Sequence, residues 1–420
     1  MANRARVIYQ SEALYAGTVD ATGYHFLVDG DGYKDQATAD AAGTVTTGIQ
    51  QLHRVQSANY SFSINRQDVN QFGQLARIDS VAIEPPTVSL DFSYYLTNGF
   101  NEKTLGFEIG GINSGQALTQ ELLLGKASGS PSANGKNFFI QTTDEGTDAV
   151  NNSGTATKST IALGNGYVSN YSVEAAVGSM PTASVTIDGL NLRSYTGVAD
   201  LENPAIDTRY GYPLTGTNKF SLPMAVSGKD NRGPDGGFDS SPSNEASGDA
   251  GIACLRPGDI SMSLGDNGRA GAFELLPSKD PENDYEGSGS AHVQSFSIDV
   301  PISRSAINRL GNPYGYARVT DFPVNISVSV NALVSELKQG SVAELLFNQE
   351  EHDLTFTMRE PNTTGTGPET LEFTVKGARL EGESFSSSIG DNKSVDLTFT
   401  AQVGGPNDDT QGLFISGSAA

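Results

Sequence analysis

Two segments of this chain, 238 residues apart, are versions of one segment. The stretch from Val55, VQSANYSFSINRQDVNQFGQ, lies over the stretch from Val293, VQSFSIDVPISRSAINRLGN, without a gap. Ile64, Arg66, Asn70 and Gly73 meet Ile302, Arg304, Asn308 and Gly311, and Val69 and Phe72 meet Ile307 and Leu310. After a three-residue slip, Ala76-Arg77-Ile78 meets Ala317-Arg318-Val319. A duplication decides architecture before any motif does, because each copy must build the same unit.

The repeated unit reads as β-structure. Ala58, Tyr60, Phe62 and Ile64 alternate with Asn59, Ser61 and Ser63, and Phe296, Ile298, Val300 and Ile302 keep the same period. Alternation of that kind marks a strand with one buried face. Val88, Leu90, Phe92 and Tyr94 form a second such strand, matched at the same offset by Ile326, Val328 and Val330. Farther on, Gln120–Leu124 echoes Ala343–Phe347, each predicting a short helix from its strong helix formers. Phe138 and Ile140 then meet Leu354 and Phe356, and Val173–Ile187 meets Phe385–Phe399. The fold class is therefore all-β, with one short helix per domain: a first domain over 1–190 and a second over 251–420. Residues 191–250, rich in Gly, Pro, Asp and Ser, read as a connector or insertion. The first 50 residues, with Ala13–Tyr15 and Phe26–Val28, add one or two strands, and both ends read as loose.

Charge narrows the function. The 420 residues carry 26 Lys+Arg against 49 Asp+Glu, a formal charge of −23. Phosphate binding draws on Lys and Arg, so a grip on nucleic acid or an anionic membrane is disfavoured. The lone Cys254 closes no internal disulfide, and His25, His53, His292 and His352 are scattered, which leaves no Cys/His zinc spacing. No apolar signal region or membrane-length run is visible, so the expectation is a soluble chain made in the cytoplasm.

Local motifs read as structure. Asp29-Gly-Asp-Gly-Tyr-Lys-Asp35 has carboxylates at alternate positions, but Lys34 stands where an EF-hand needs glycine and Asp40 where it needs a bidentate Glu, so it reads as a turn. Gly164-Asn-Gly166 and Gly110-Gly111 lack the rest of a phosphate or dinucleotide fingerprint and read as turns. No Gly-x-Ser-x-Gly elbow sits between a strand and a helix, and Gly287–Gly289 lies in low-complexity sequence. Asp144-Glu145 and Glu350-Glu351 come without an apolar pocket to raise a pKa and read as solvated turns. His53 and His292 read as residues at the start of matched strands. No catalytic, cofactor or metal site is expected.

The exception is the loop between the matched strands, Asn65–Pro86 and Ser303–Pro323. At about twenty residues it exceeds ordinary hairpin needs, and loops of that length are usually functional. Identities between the copies (Arg66/Arg304, Asn70/Asn308, Gly73/Gly311, Arg77/Arg318, Pro85/Pro323) and the apolar Val69, Phe72, Leu75 and Ile78 predict an ordered projecting hairpin. Phe72 and Leu310 would be apolar tips, which mark contact surfaces. The expected interface residues are Arg66, Val69, Asn70, Phe72 and Arg77, with Arg304, Ile307, Asn308, Leu310 and Arg318 in the second copy, the arginines pairing with carboxylates.

Long alternating strands joined by a projecting loop, a short flanking helix and no catalytic constellation make this chain resemble the tail tube (major tail) proteins of long-tailed bacteriophages. Tyr60–Gly73 through Glu84–Tyr94 carries most of the likeness. The resemblance implies two tandem tail-tube-like β-sandwich or barrel domains. It further implies a homotrimer forming a pseudo-hexameric ring, and stacking of rings into a channel for genome passage in the virion tail. The implied partners are other copies of the chain, tape measure, tail terminator, baseplate or tip proteins, and a sheath. DNA passes unbound, and neither membrane nor cofactor is involved. A lumen of that kind should be acidic or neutral, with Asp91 and Asp299 as candidate wall residues. The runner-up is another virion component, a capsid decoration, neck or fibre subunit. A carbohydrate-binding or esterase-like β-protein comes third, with the absence of Trp counting against sugar stacking.

Overall fold

The computed structural model describes residues 12–18, 44–45, 49–112, 114–117, 135–143, 147, 149, 158–198, 201–207, 212–213, 219–220, 222, 225, 254–264, 291–315, 317–334, 351–360, 367–387, 392, 394–405 and 408–418. Its longer strands form two sets. The first comprises β1 (Glu12–Thr18), β2 (Val55–Ser63), β3 (Arg66–Val69), β4 (Asp79–Ala82), β5 (Thr87–Tyr95), β6 (Lys136–Thr142), β7 (Ser159–Ala176), β8 (Thr182–Gly189) and β9 (Asn191–Thr196). The second comprises β10 (Ile260–Leu264), β11 (Ala291–Pro301), β12 (Arg304–Ile307), β13 (Ala317–Thr320), β14 (Asn325–Val334), β15 (His352–Arg359), β16 (Glu369–Ser386), β17 (Ser394–Gln402) and β18 (Gly412–Gly417). Each strand of the first set has its counterpart nine places later.

The duplication holds at the level of hydrogen-bond register. In β7–β8, Val173 faces Ala183, Tyr171 faces Val185 and a bulge separates Val168 from Asn170. In β16–β17, Phe385 faces Val395, Glu383 faces Leu397 and the bulge falls between Leu380 and Gly382, the same positions shifted by 212. The outer pairs agree as well: Ile161–Ile140 in β7–β6 corresponds to Phe373–Phe356 in β16–β15. Register is set by which face each side chain must bury, so two copies with the same alternation take the same pairing.

Each half is two sheets sharing one long strand. The front part of β7 pairs with β6 and β9, while its rear part pairs with β8. β16 does the same with β15, β18 and β17. The inner strands therefore run β2-β5-β8-β7 in the first half and β11-β14-β17-β16 in the second. Their apolar rows pack on the outer sheets: Phe92 lies 6.3 Å from Phe138, and Phe296 stacks on Phe356 at 4.2 Å. A single apolar cluster runs through both halves. No described helix is long and apolar enough to cross a membrane.

Three local features go beyond the sequence reading. Gly164-Asn-Gly166 is a bulge within β7, where the strand leaves one sheet for the other. A Cβ on Gly166 would stand 2.7 Å from Ile187 and 2.8 Å from Phe138, which explains the glycine. Asn165 has φ 52 and its counterpart Gly377 has φ 69, so both copies bend by the same left-handed residue. Second, the described helix is α1, Phe100–Leu105, six residues too short to show a period. Gln120–Leu124 and Ala343–Phe347 lie outside the described residues, as do Phe26–Val28, Asp29–Asp35, Asp144–Glu145, Gly287–Gly289 and Glu350. Third, the 238-residue offset needs no slip: Arg66–Ala82 and Arg304–Thr320 close the two hairpins in identical register. Arg318 thus takes the seat of Ser80, not of Arg77. The matching Ala-Arg triplet was misleading because ladder pairing, not a three-residue identity, fixes a hairpin.

Part of the expected connector is folded against the first half. β9 pairs with β7, and Leu201, Phe220 and Ala225 bury with Tyr15, Phe139 and Ala162 in a second cluster. In the other half the seats of Tyr15, Phe139 and Ala162 hold Ser263, Thr355 and Thr374. An apolar outer face is built where these residues cover it.

α1 carries a buried carboxylate. Glu102 is fully enclosed, and its Oε1 accepts hydrogen bonds from the hydroxyls of Tyr94 (2.8 Å) and Tyr171 (3.1 Å). Burial raises its pKa, and the two tyrosines offset part of that. A carboxyl whose folded pKa is raised stabilises fully below the ordinary glutamate value, and that stability is lost as pH rises through the raised value. Glu102→Gln keeps an acceptor for both tyrosines and removes the charge. We expect urea denaturation to show the stability of the wild type relative to the Gln variant falling from about pH 4 upward. Parallel curves would show that Glu102 does not titrate there.

Candidate assembly surface

The two halves join edge to edge. Along β7 and β11, Asn170 faces Pro301, Tyr171 faces Val300, Val173 faces Ile298 and Ala175 faces Phe296. One more bond extends the ladder, from the Ile302 N–H to the Ser169 carbonyl at 2.8 Å. Tyr171, Val173, Ile298, Val300 and Ile302 are all 0% exposed.

The same two edges occur again, with no pairing strand beyond them among the described residues. β2, counterpart of β11, ends the sheet on one side, and the rear part of β16, counterpart of β7, ends it on the other. Their side chains keep the apolar pattern of the buried joint while lying open: Tyr60 is 43% exposed, Phe62 59%, Ile64 44% and Phe385 43%. Edge strands are ordinarily blunted by charge, proline or a cover, since an open apolar edge recruits another chain. Carrying the joint register across gives Gly382 to Ser63, Glu383 to Phe62, Ser384 to Ser61, Phe385 to Tyr60 and Ser386 to Asn59. Phe385 would again meet an apolar partner in Tyr60, while Glu383 would stand where the joint within the chain has Tyr171.

One hairpin follows β2 at its open edge, and the other follows β11 at the joint within the chain. Gly73 (φ 87) and Gly311 (φ 83) turn their tips, and Phe72 and Leu310 are fully exposed. Val69 and Ile307 are exposed along the hairpin stems. Arg77 bonds Asp68 of its own hairpin at 2.9 Å, so its expected carboxylate lies within the copy. Arg304 and Arg318 lie over the Tyr167 ring, 5.5 and 5.6 Å from its centroid. Burial lowers the Arg304 pKa to about 10, which leaves it charged at neutral pH. Arg66, its counterpart, is exposed and reaches the Ser80 carbonyl at 3.5 Å. Asn70 and Asn308 are exposed near the tips.

Opposite the apolar core, the inner sheet presents a polar face continuous across both halves. One row reads Asn59, Asp91, Thr186, Asn170, and the next Ser172, Asp299, Ser327, Thr400. Asp91 and Asp299 therefore share a face, Asp91 accepting from Thr186 (2.8 Å) and Asp299 from Asn170 (3.3 Å). Hydroxyl pairs Ser57/Ser93 and Ser61/Ser89 tie neighbouring strands at 2.8 Å. The cation on these rows is Arg379, opposite Thr400 at the far edge.

No family model matches this sequence, and no curated protein matches it. Among solved structures, a crystal structure of an Hcp protein aligns over 34% of this chain and 89% of its own, at 11% identity and a TM-score of 0.17. A TM-score of that size carries no argument about function; the open edges and the polar face do.

No group of three metal-ligating side chains occurs among the described residues. His53 is buried against Phe100, ring centroids 4.7 Å apart, with its backbone N–H on Asn101, while His292 is exposed. Sequence reasoning found the hairpins and the alternating strands but missed the open edge of β16. Its signal was the alternation Leu380, Glu383, Phe385, where a bulge and a glutamate interrupt the period.

Proposed function

We propose that this chain is a non-enzymatic structural subunit that closes into rings of three copies and stacks as a tube for DNA passage, as in the tail tube of a long-tailed phage virion. The observation that carries the reading is the repeated joint: the strand pairing made by β7 and β11 within the chain is not made by β16 and β2 among the described residues. A contact between two different edges is heterologous, and such contacts form closed rings when the rotation closes. With two similar halves per chain, three chains give six near-equivalent seats. The joined inner sheets would then supply roughly two dozen strands, more than the 16–18 that already leave an aqueous channel in a barrel.

The polar face suits the wall of such a channel. Duplex DNA carries about one negative charge per 1.7 Å, and a cationic wall would hold it by counterion release. Rows of Ser, Thr, Asn and Asp, with Arg379 at the far edge paired to Glu351, offer little such grip. The exposed tips Phe72 and Leu310 fall to contacts between stacked rings. Tape measure, terminator and baseplate or tip proteins would then be the partners at the tube ends.

Electron microscopy and mass measurement of the purified chain test the proposal. Rings of three chains are expected, stacking into tubes, and the Phe72→Asp/Leu310→Asp variant should leave rings without tubes. Rings of six chains, or a chain that stays monomeric at every concentration, would overturn the reading.

A further inference from the structure

The joint within the chain and the joint between chains are not chemically alike. Shifting the hairpin by 238 and β7 by 212 puts Arg66 in the seat of Arg304, Ser80 in that of Arg318, and Arg379 in that of Tyr167. Among the described residues, an arginine brought there meets no aromatic ring. It meets a cavity of about 590 Å³ whose lining includes Asn325, Glu351, Arg379, Glu381, Thr400 and Gln402. Glu351 accepts from Arg379 at 2.7 Å, and Glu381 accepts from the Thr400 hydroxyl at 2.7 Å. The register places the newcomer closely. Ile302 bonds the Ser169 carbonyl within the chain, and the counterparts of these two residues are Ile64 and Glu381, with Arg66 two residues beyond Ile64.

We infer that in the joint between chains Arg66 of one copy enters this cavity of the next and pairs with Glu381, so that two guanidiniums balance two carboxylates. This rests on the proposed ring. In the first joint a cation sits on a ring within one chain, where its local concentration is fixed. In the second an ion pair forms between molecules, and exposed ion pairs weaken as salt rises. Salt would then open the joints between chains and spare the joint within each.

Sedimentation velocity of the full chain at low and high salt decides it. We expect wild-type association to weaken with salt, and Arg66→Glu and Glu381→Arg each to weaken it about 30-fold or more at low salt, because each reversal sets like charges against one another. The double charge swap should recover most of that loss. Both side chains are exposed in the single chain, so circular dichroism should be unchanged. Single variants that associate like wild type, or a swap that recovers nothing, would overturn the pairing and leave the rings standing. A wild-type chain that never associates would overturn the ring reading and the pairing together.

Discussion

Replacing Tyr60 and Phe62 together by Asp should leave a folded chain that no longer associates. Both side chains stand on an open edge, so their loss removes little from the folded monomer, and exposed substitutions usually change stability by no more than about 0.5 kcal/mol. Their counterparts Ile298 and Val300 are fully buried in the joint within the chain, which shows what the joint between chains does to these seats. Burying a Tyr or Phe that starts half exposed contributes on the order of 1–2 kcal/mol each. Burying an unpaired carboxylate instead costs several kcal/mol. The carboxylate introduced by F62D would also face Glu383, whose pKa burial already raises. Association should fall by about three orders of magnitude or more, since every 1.4 kcal/mol is tenfold. Sedimentation should show monomers with an unchanged thermal transition. Ile298→Asp/Val300→Asp makes the control: there the same change strikes a finished core and should unfold the chain or part its halves. A Y60D/F62D variant that still builds rings would remove β2 from the interface.

Phe356→Ala should have the opposite signature, a loss of stability with the association surface untouched. Phe356 is fully buried on the outer strand β15 and stacks on Phe296 of the inner strand β11, so it ties the two layers of the second half. Truncating a buried Phe removes its transfer energy and leaves a cavity, at about 3–5 kcal/mol. That is a large share of the ~5–15 kcal/mol by which domains are stable. Urea denaturation should therefore show a strongly lowered midpoint. Phe385→Ala is the informative companion, because the residue is half exposed on the β16 edge and should cost association while hardly moving the midpoint. If Phe356→Ala cost less than about 1 kcal/mol, the two layers would not share one core.

What the sequence determined is what its short periods encode. Alternation at Ala58–Ile64, Phe296–Ile302 and Val88–Tyr94 fixes strands and decides which residues share a face, because a strand has only two faces. The repeat fixes two copies of one unit, and the identities at Arg66/Arg304 and Gly73/Gly311 mark a hairpin kept in register. The polar rows holding Asp91 and Asp299 follow from the same alternation. Tertiary structure decided what depends on partners far away in the chain. That β7 serves two sheets rests on the bulge at Asn165, whose left-handed backbone looked like a turn because a bulge and a turn call for the same residues. Arg318 could not be matched to Ser80 by similarity, since only the ladder between β12 and β13 states the register. α1 was too short to have a period, and the burial of Phe220 against Phe139 joins residues that share no local pattern. Above all, the sequence showed two copies but not that the edge of one meets the edge of the other. An open edge and a filled one carry the same alternation, and only their pairing in space tells them apart.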